Sequence, residues 1–246
     1  MSALIWRQYR LERRMFWRNP TAAFFNFLFP LILLALFGAV FANDQANLNV
    51  IVPGIAGMAV MATTFTALAF SMTFLREQGV LKRIRGTPLP SGAYLAAVFA
   101  SAVANAILQI VIIVLAGRAF FGIPWPPDPL ELVVFAAAGV VCFASLGIAL
   151  SHAIPNFESA PAYTNAIFLP VIFISGVFFD ADKAPKFLTD IAEALPLIHL
   201  IDGLSGAMVT GQGLSHHWSD LAVLAVWSAI GVFLAVRGFS WEARRS

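Results

Sequence analysis

Six apolar stretches, each close to the thickness of a bilayer, constrain this chain more than any other feature. They fall at 22–42, 50–75, 93–117, 130–154, 160–179 and 217–237. A hydrocarbon core about 30 Å thick needs roughly 20 apolar residues to cross it as a helix. No water is present there to satisfy the backbone, so each crossing segment must hydrogen-bond within itself. Composition agrees: 60% of the residues are hydrophobic and 11% are charged, whereas a soluble domain carries about 25% charged residues. The expected fold is therefore an all-α integral membrane protein. It forms one six-span domain over residues 1–246. Cys142, the single cysteine, lies inside an apolar stretch and has no partner for an intrachain disulfide.

The basic residues orient this bundle. Arg7, Arg10, Arg13, Arg14 and Arg18, then Arg76, Lys82, Arg83 and Arg85, then Arg237, Arg244 and Arg245 fall on one side of the alternating spans. Only Arg118, Lys183 and Lys186 fall on the other. The positive-inside rule then places both termini in the cytoplasm of a multi-pass cell (inner or plasma) membrane protein.

Three segments outside the spans carry a pattern of their own. In 3–18 the arginines occupy one half of a helical wheel, with Leu4, Ile5, Leu11, Met15 and Phe16 on the other. This predicts an interfacial helix lying among lipid headgroups. In 180–216, Phe187, Leu188, Ile191 and Leu195 form an apolar stripe, Pro196 interrupts it, and an apolar run follows to Met208. Two such short helices are each too short to span, which predicts a re-entrant hairpin on the outer side. Between spans 2 and 3, the stretch 76–88 predicts a short surface helix. Val80, Leu81 and Ile84 make its apolar knob, Lys82, Arg83 and Arg85 supply charge, and Thr87-Pro88 stops it.

Chemistry is sparse in this sequence. The spans contain essentially no Asp, Glu, Lys or Arg, which argues against an ion-coupled carrier and against an intramembrane hydrolase. His216-His217 is the one histidine pair, and with no Cys or carboxylate cluster it reads as interfacial, beside Trp218. His152 and His199 read as structural. No G-x-x-x-x-G-K-[ST] occurs, so nothing here binds a nucleotide phosphate. The chain is not expected to be an enzyme, nor to bind a metal or nucleic acid. Thr63, Thr64, Thr66, Asn105, Gln109, Thr164 and Asn165 are the polar residues within the spans that can line a path or, alternatively, bond between helices.

Glu77-x-Gly79-x-Leu81-x-Arg83-Ile84-x-x-Thr87-Pro88, directly after the second span, resembles the first cytoplasmic loop of type-2 ABC exporter permeases. Asn165-Ala166-Ile167-Phe168-Leu169-Pro170, running into Ser175-Gly176-Val177-Phe178-Phe179, is similar to the fifth span of that family. Leu195-Pro196-Leu197-x-His199-Leu200-x-Asp202-Gly203-Leu204 is similar to its outer re-entrant element. Where the family often has an arginine shortly after the Asp202-like position, this chain has Ser205-Gly206.

The resemblance implies a membrane subunit of an ATP-driven exporter. Its coupling helix, Glu77, Gly79, Val80, Leu81, Arg83, Ile84, Thr87 and Pro88, docks into a separate cytoplasmic ATPase. That ATPase, present in two copies, holds the ATP and Mg. A second permease subunit completes the path, as a homo- or heterodimer within the membrane lipids. Pro196, His199 and Asp202 mark the outer re-entrant element. Uncharged spans suit an amphiphilic drug, antibiotic or lipid better than a polyanion. Two other classes share the composition: a structural or regulatory subunit that moves nothing, and a passive channel or lipid scramblase.

Overall fold

The computed structural model describes residues 2–41, 43–80, 83, 90–178 and 185–238. Every regular element among them is helical. Helix α1 (Ser2–Arg18) precedes α2 (Pro20–Val40), which starts on a proline whose missing N–H costs nothing at that position. Helices α3 (Gln45–Met61) and α4 (Ala67–Glu77) form one rod, joined through a π-helical turn at Ala62–Thr66. Then come α5 (Ser91–Phe121), α6 (Pro129–Ser151) and α7 (Ala160–Ile174). Two short helices follow, α8 (Lys186–Glu193) and α9 (Pro196–Ser205), the latter running into a second π-helical turn, Gly206–Thr210. Helix α10 (Trp218–Gly238) ends the described chain.

Among the described residues, four helical stretches are long and apolar enough to cross a membrane: Gln45–Glu77, Ala96–Phe121, Pro129–Ser151 and Trp218–Arg237. The helices Lys186–Glu193 and Pro196–Thr210 meet at 89° and make a fifth if counted as one broken span. At the places expected for the first and fifth spans stand shorter apolar helices, Asn26–Val40 and Ala160–Ile174. The latter ends sooner than the 179 read from hydropathy, because the chain turns at Ser175 and Gly176. At about 1.5 Å per residue, its 15 residues cover some 22 Å.

The α3–α4 rod is the centre of the molecule. Leu48, Ile55, Ala56, Met58, Ala59 and Val60 are fully buried, and α2, α5, α6 and α9 all pack on α3. Small residues let neighbours come close. At Gly147 on α6 an added Cβ would strike the backbone of Phe65, so the π-helical turn lies directly against α6. Gly54 on α3 likewise faces the backbone of Val177, just past the end of α7. Helix α10 packs along α6 but exposes Val226, Phe233 and Val236 outward, as a lipid-facing helix does.

Candidate functional site

The segment read as a coupling helix begins differently from its expected form. Glu77 is the last residue of α4, not an early residue of the next helix. The chain turns at Gly79, whose φ of +67° lies in the left-handed region open to glycine. Among the described residues, no atom lies within 4 Å of where a Cβ would stand there, and the backbone conformation is reason enough for the glycine. Val80 and Arg83 are helical again, and the Arg83 amide donates to the Gly79 carbonyl at 3.2 Å. Leu81, Ile84, Thr87 and Pro88 lie outside the described residues.

The two residues before this turn are fastened to the connection between α6 and α7. Arg76, only 6% exposed, donates from Nη1 to the Ser151 carbonyl at 2.8 Å and from Nη2 to the Ile154 carbonyl at 2.5 Å. A guanidinium is well placed there, since the end of a helix presents unpaired carbonyls and partial negative charge. Glu77 Oε2 accepts the backbone N–H of Phe157 at 2.8 Å. The Phe157 ring sits edge-on to Phe74, with centroids 5.4 Å apart. An acid at a helix C-terminus opposes the helix dipole; the Phe157 amide offsets this. Arg76, read as a surface charge, is thus a buried clamp. Only knowledge of what lies across from it separates the two roles.

Of the residues expected to line a path, the fold brings two together. Thr63 and Asn105 face a polar cavity of about 370 Å³ between α1, α2, the α3–α4 rod and α5. Glu12, Asn19, Asn26, Ser71 and Ser101 complete its polar lining. Helix α1 is pinned over it: Arg13 Nη1 donates to Asn105 Oδ1, and Arg13 also stacks over Trp17 at 5.7 Å. Burial holds the Glu12 carboxyl above the usual carboxylate range, opposed by the Gln8 amide that donates to it at 2.8 Å. Helix α1, read from sequence as interfacial, is therefore packed into the bundle as well as basic.

The remaining path candidates are placed elsewhere. Thr64 donates to the Val60 carbonyl at 2.6 Å and Thr164 to the Ala160 carbonyl at 2.8 Å. Thr63 bonds back in the same way, to Ala59 at 2.9 Å. Such bonds satisfy a hydroxyl inside an apolar helix, and the two from Thr63 and Thr64 sit at the π-helical turn. Asn165 is exposed on α7. The Gln109 amide and the Thr66 hydroxyl are buried with no hydrogen-bond partner among the described residues, a costly state for polar groups.

The element read as an outer re-entrant hairpin is more polar than its sequence suggests. Pro196 opens α9. His199 Nδ1 pairs with Asp220 Oδ1 at 2.7 Å, while its Nε2 meets the Glu193 carbonyl at 2.9 Å. His217 Nδ1 pairs with Asp220 Oδ2 at 3.1 Å. His217 is thus held by the first turn of α10, while His216 beside it is exposed. Asp202 lines a neighbouring cleft with Ser205, Thr210 and His216. Two acids also stand where the spans read as free of them. Asp220 lies in the first turn of α10, and Glu131, with no exposed surface, lies in the first turn of α6. Helix starts favour acids through the dipole, and a hydropathy window averages one such residue away. The spacing of Asp220 three residues after His217 is the one signal that pointed to this cluster. Among the described residues, no group of three or more His, Cys, Asp and Glu could hold a metal ion.

Comparison with known proteins places this arrangement. Residues 1–209 match the family model described as "ABC-2 type transporter". The chain is 28% identical over 251 residues to the transport permease ycf38 of Porphyra purpurea, covering 93% of this chain and 84% of the relative. It is 25% identical over 174 residues to nodulation protein J of Sinorhizobium fredii, covering 70% of this chain and 66% of that one. Against the linearmycin resistance permease protein LnrN of Bacillus subtilis it is 23% identical over 177 residues, covering 71% of this chain and 46% of the relative. Members of this family are membrane subunits that work with a cytoplasmic ATPase and are not themselves the ATPase. With an apolar helical bundle and a family match over most of its length, this multi-pass membrane protein belongs to the ABC-2 type transporters, as a transport subunit.

Proposed function

We propose that this chain is the permease of an ATP-driven exporter of amphiphilic molecules, working as one of two paired subunits with two cytoplasmic ATPases that hold ATP and Mg. The six spans of that reading are α2, the α3–α4 rod, α5, α6, α7 and α10. Both termini and the 76–88 coupling segment face the cytoplasm, which the distribution of arginines supports. Helices α8 and α9 form the re-entrant hairpin on the opposite side. The exposed apolar faces of α2 (Phe29, Ile32, Leu36) and α7 (Tyr163, Leu169, Phe173) are the pairing surface.

One observation carries the coupling reading: the turn at Gly79 is fastened through Arg76 and Glu77 to the α6–α7 connection. A push on the segment after Gly79 reaches the ends of three spans at once, because the clamp joins them. The α3–α4 rod can yield at its π-helical turn, a wider turn of the kind often found at functional sites. The polar cavity bounded by Thr63, Asn105 and Glu12 is the entry end of the path. The uncharged apolar lining elsewhere supports an amphiphilic cargo. Resistance to linearmycin belongs to the relative named for it; a drug-like amphiphile is the corresponding cargo class proposed here.

The test is reconstitution with the partner ATPase, reading ATP hydrolysis and ATP-dependent efflux of an amphiphilic dye. Leu81→Asp and Glu77→Arg are expected to abolish stimulation of the ATPase while membrane insertion persists. Unchanged stimulation and copurification in both variants would sink the coupling role. Hydrolysis without efflux of any substrate would favour a regulatory subunit, and leakage without ATP a channel or scramblase.

A further inference from the structure

A groove of about 650 Å³ runs between α6, α7 and α10, away from the cavity at Asn105 and from the cleft at Asp202. Helix α6 floors it with Phe143, Leu146 and Leu150, while α7 (Ile167, Val171) and α10 (Trp227, Leu234) form its walls. It stays open because α7 packs on α4 and α8, whereas α10 packs on α6 and α9.

The two ends of the groove differ. One reaches Arg237, in the last turn of α10, beside His152 at the end of α6. Among the described residues these are the only ionisable ones in its lining, and neither is an acid. Arg237 is exposed, its guanidinium resting over the Phe233 ring at 5.6 Å. The other end closes against Leu195 and Pro196, the apex of the bent α8–α9 pair. That apex is tied down: Trp227 Nε1–H donates to the Ala194 carbonyl at 3.1 Å. From Trp227 to Arg237 is ten residues of α10, about 15 Å of helix, or half of a hydrocarbon core about 30 Å thick.

We propose that this groove is a binding site for an anionic phospholipid of the leaflet that meets Arg237. One acyl chain lies along α6 and the phosphate pairs with the guanidinium. The length is that of one leaflet, from headgroup level to midplane. A crossing helix of another protein needs twice that length, and the Leu195–Pro196 apex stands in its way. Positive charge confined to the headgroup end selects an anionic lipid over a zwitterionic one. The site requires that α6, α7 and α10 lie in the membrane, and it is independent of ATP coupling and of cargo.

The experiment uses the full chain in phosphatidylcholine vesicles doped with brominated-acyl phosphatidylglycerol or, at the same mole fraction, brominated-acyl phosphatidylcholine. Subtracting the Trp227→Phe signal isolates quenching of Trp227. Brominated phosphatidylglycerol is expected to quench at lower mole fraction, by about fivefold, the factor one interfacial arginine contributes toward an anionic lipid. Arg237→Gln should erase that preference while leaving the quenching itself. Native mass spectrometry provides a readout free of the tryptophan change: one retained phosphatidylglycerol is expected on the unmodified chain and none on Arg237→Gln. Equal quenching by the two lipids in the unmodified chain would mean annular lipid only and would overturn the site. Protection of Trp227 from both would overturn it in favour of a protein occupant such as a second copy. None of these outcomes depends on the partner ATPase, so they stand apart from the fate of the exporter reading.

Discussion

Arg76 shows how one residue can change role once its surroundings are known. In the sequence it belongs to a basic run at the membrane edge; in the fold it is buried and binds two carbonyls at the end of α6. Hydrogen bonds from a charged group contribute about 1.5–3 kcal/mol. Arg76→Gln is therefore expected to lower the stability of the bundle by about that amount, read as a lower melting temperature in detergent. A melting temperature equal to that of the unmodified protein would mean that the two carbonyls are satisfied without it. Glu77 is the complementary case. Its place in the motif was legible, but the bond that holds it, from the Phe157 amide 80 residues away, was not. Glu131 was overlooked because one acid in the first turn of an apolar helix hardly alters the average around it.

Among the elements, the π-helical turn at Ala62–Thr66 has no reliable sequence signature. The threonines there were read as lining a path or bonding between helices; Thr63 and Thr64 give their hydroxyls to carbonyls one turn back, and Thr63 also lines the cavity. What makes the turn visible is its neighbour, since Gly147 leaves room for the Phe65 backbone. Gly147→Val forces a branched side chain into that contact, and overpacking of this kind costs about 1–3 kcal/mol. The expected result is a protein that inserts but melts earlier, with reduced ATPase stimulation if the rod yields at this point. Wild-type melting and stimulation in Gly147→Val would show that the close approach has no consequence. Asp44 and Asp128 cap α3 and α6 through the amides of Asn47 and Glu131, so α3 starts at Gln45, ahead of the stretch from residue 50 that hydropathy marks.

For the whole molecule, the bent α8–α9 pair is the feature with the largest consequence. Its apex meets α10 at Trp227, nine residues past Trp218, or about 13 Å along the helix. Such a depth is expected of a hairpin that enters the outer leaflet and not of a surface loop. Single cysteines across 187–204, challenged with a membrane-impermeant maleimide, should label in an interrupted pattern. Phe187 and Ile191, which are exposed, should react, and the buried Leu197, Leu200 and Leu204 should stay silent. Uniform rapid labelling would describe a solvated loop instead.

By itself, the sequence determined the class of the protein and the membrane segments in outline, and it holds no G-x-x-x-x-G-K-[ST] motif. Those depend on local composition and on short motifs, which any window of the chain reports. Tertiary structure alone decided which polar residues share a cavity, that Arg76 is a clamp, and that Asp220 joins His199 of α9 to the start of α10. It also decided that α7 and α10 diverge enough to leave a groove between them. Each of these depends on residues distant in the chain meeting in space. Helices in lipid are placed by close packing and interhelical hydrogen bonds, not by a difference in hydrophobicity between one face and another. A hydropathy pattern therefore says where each helix lies along the chain and little about which of its faces meets another helix.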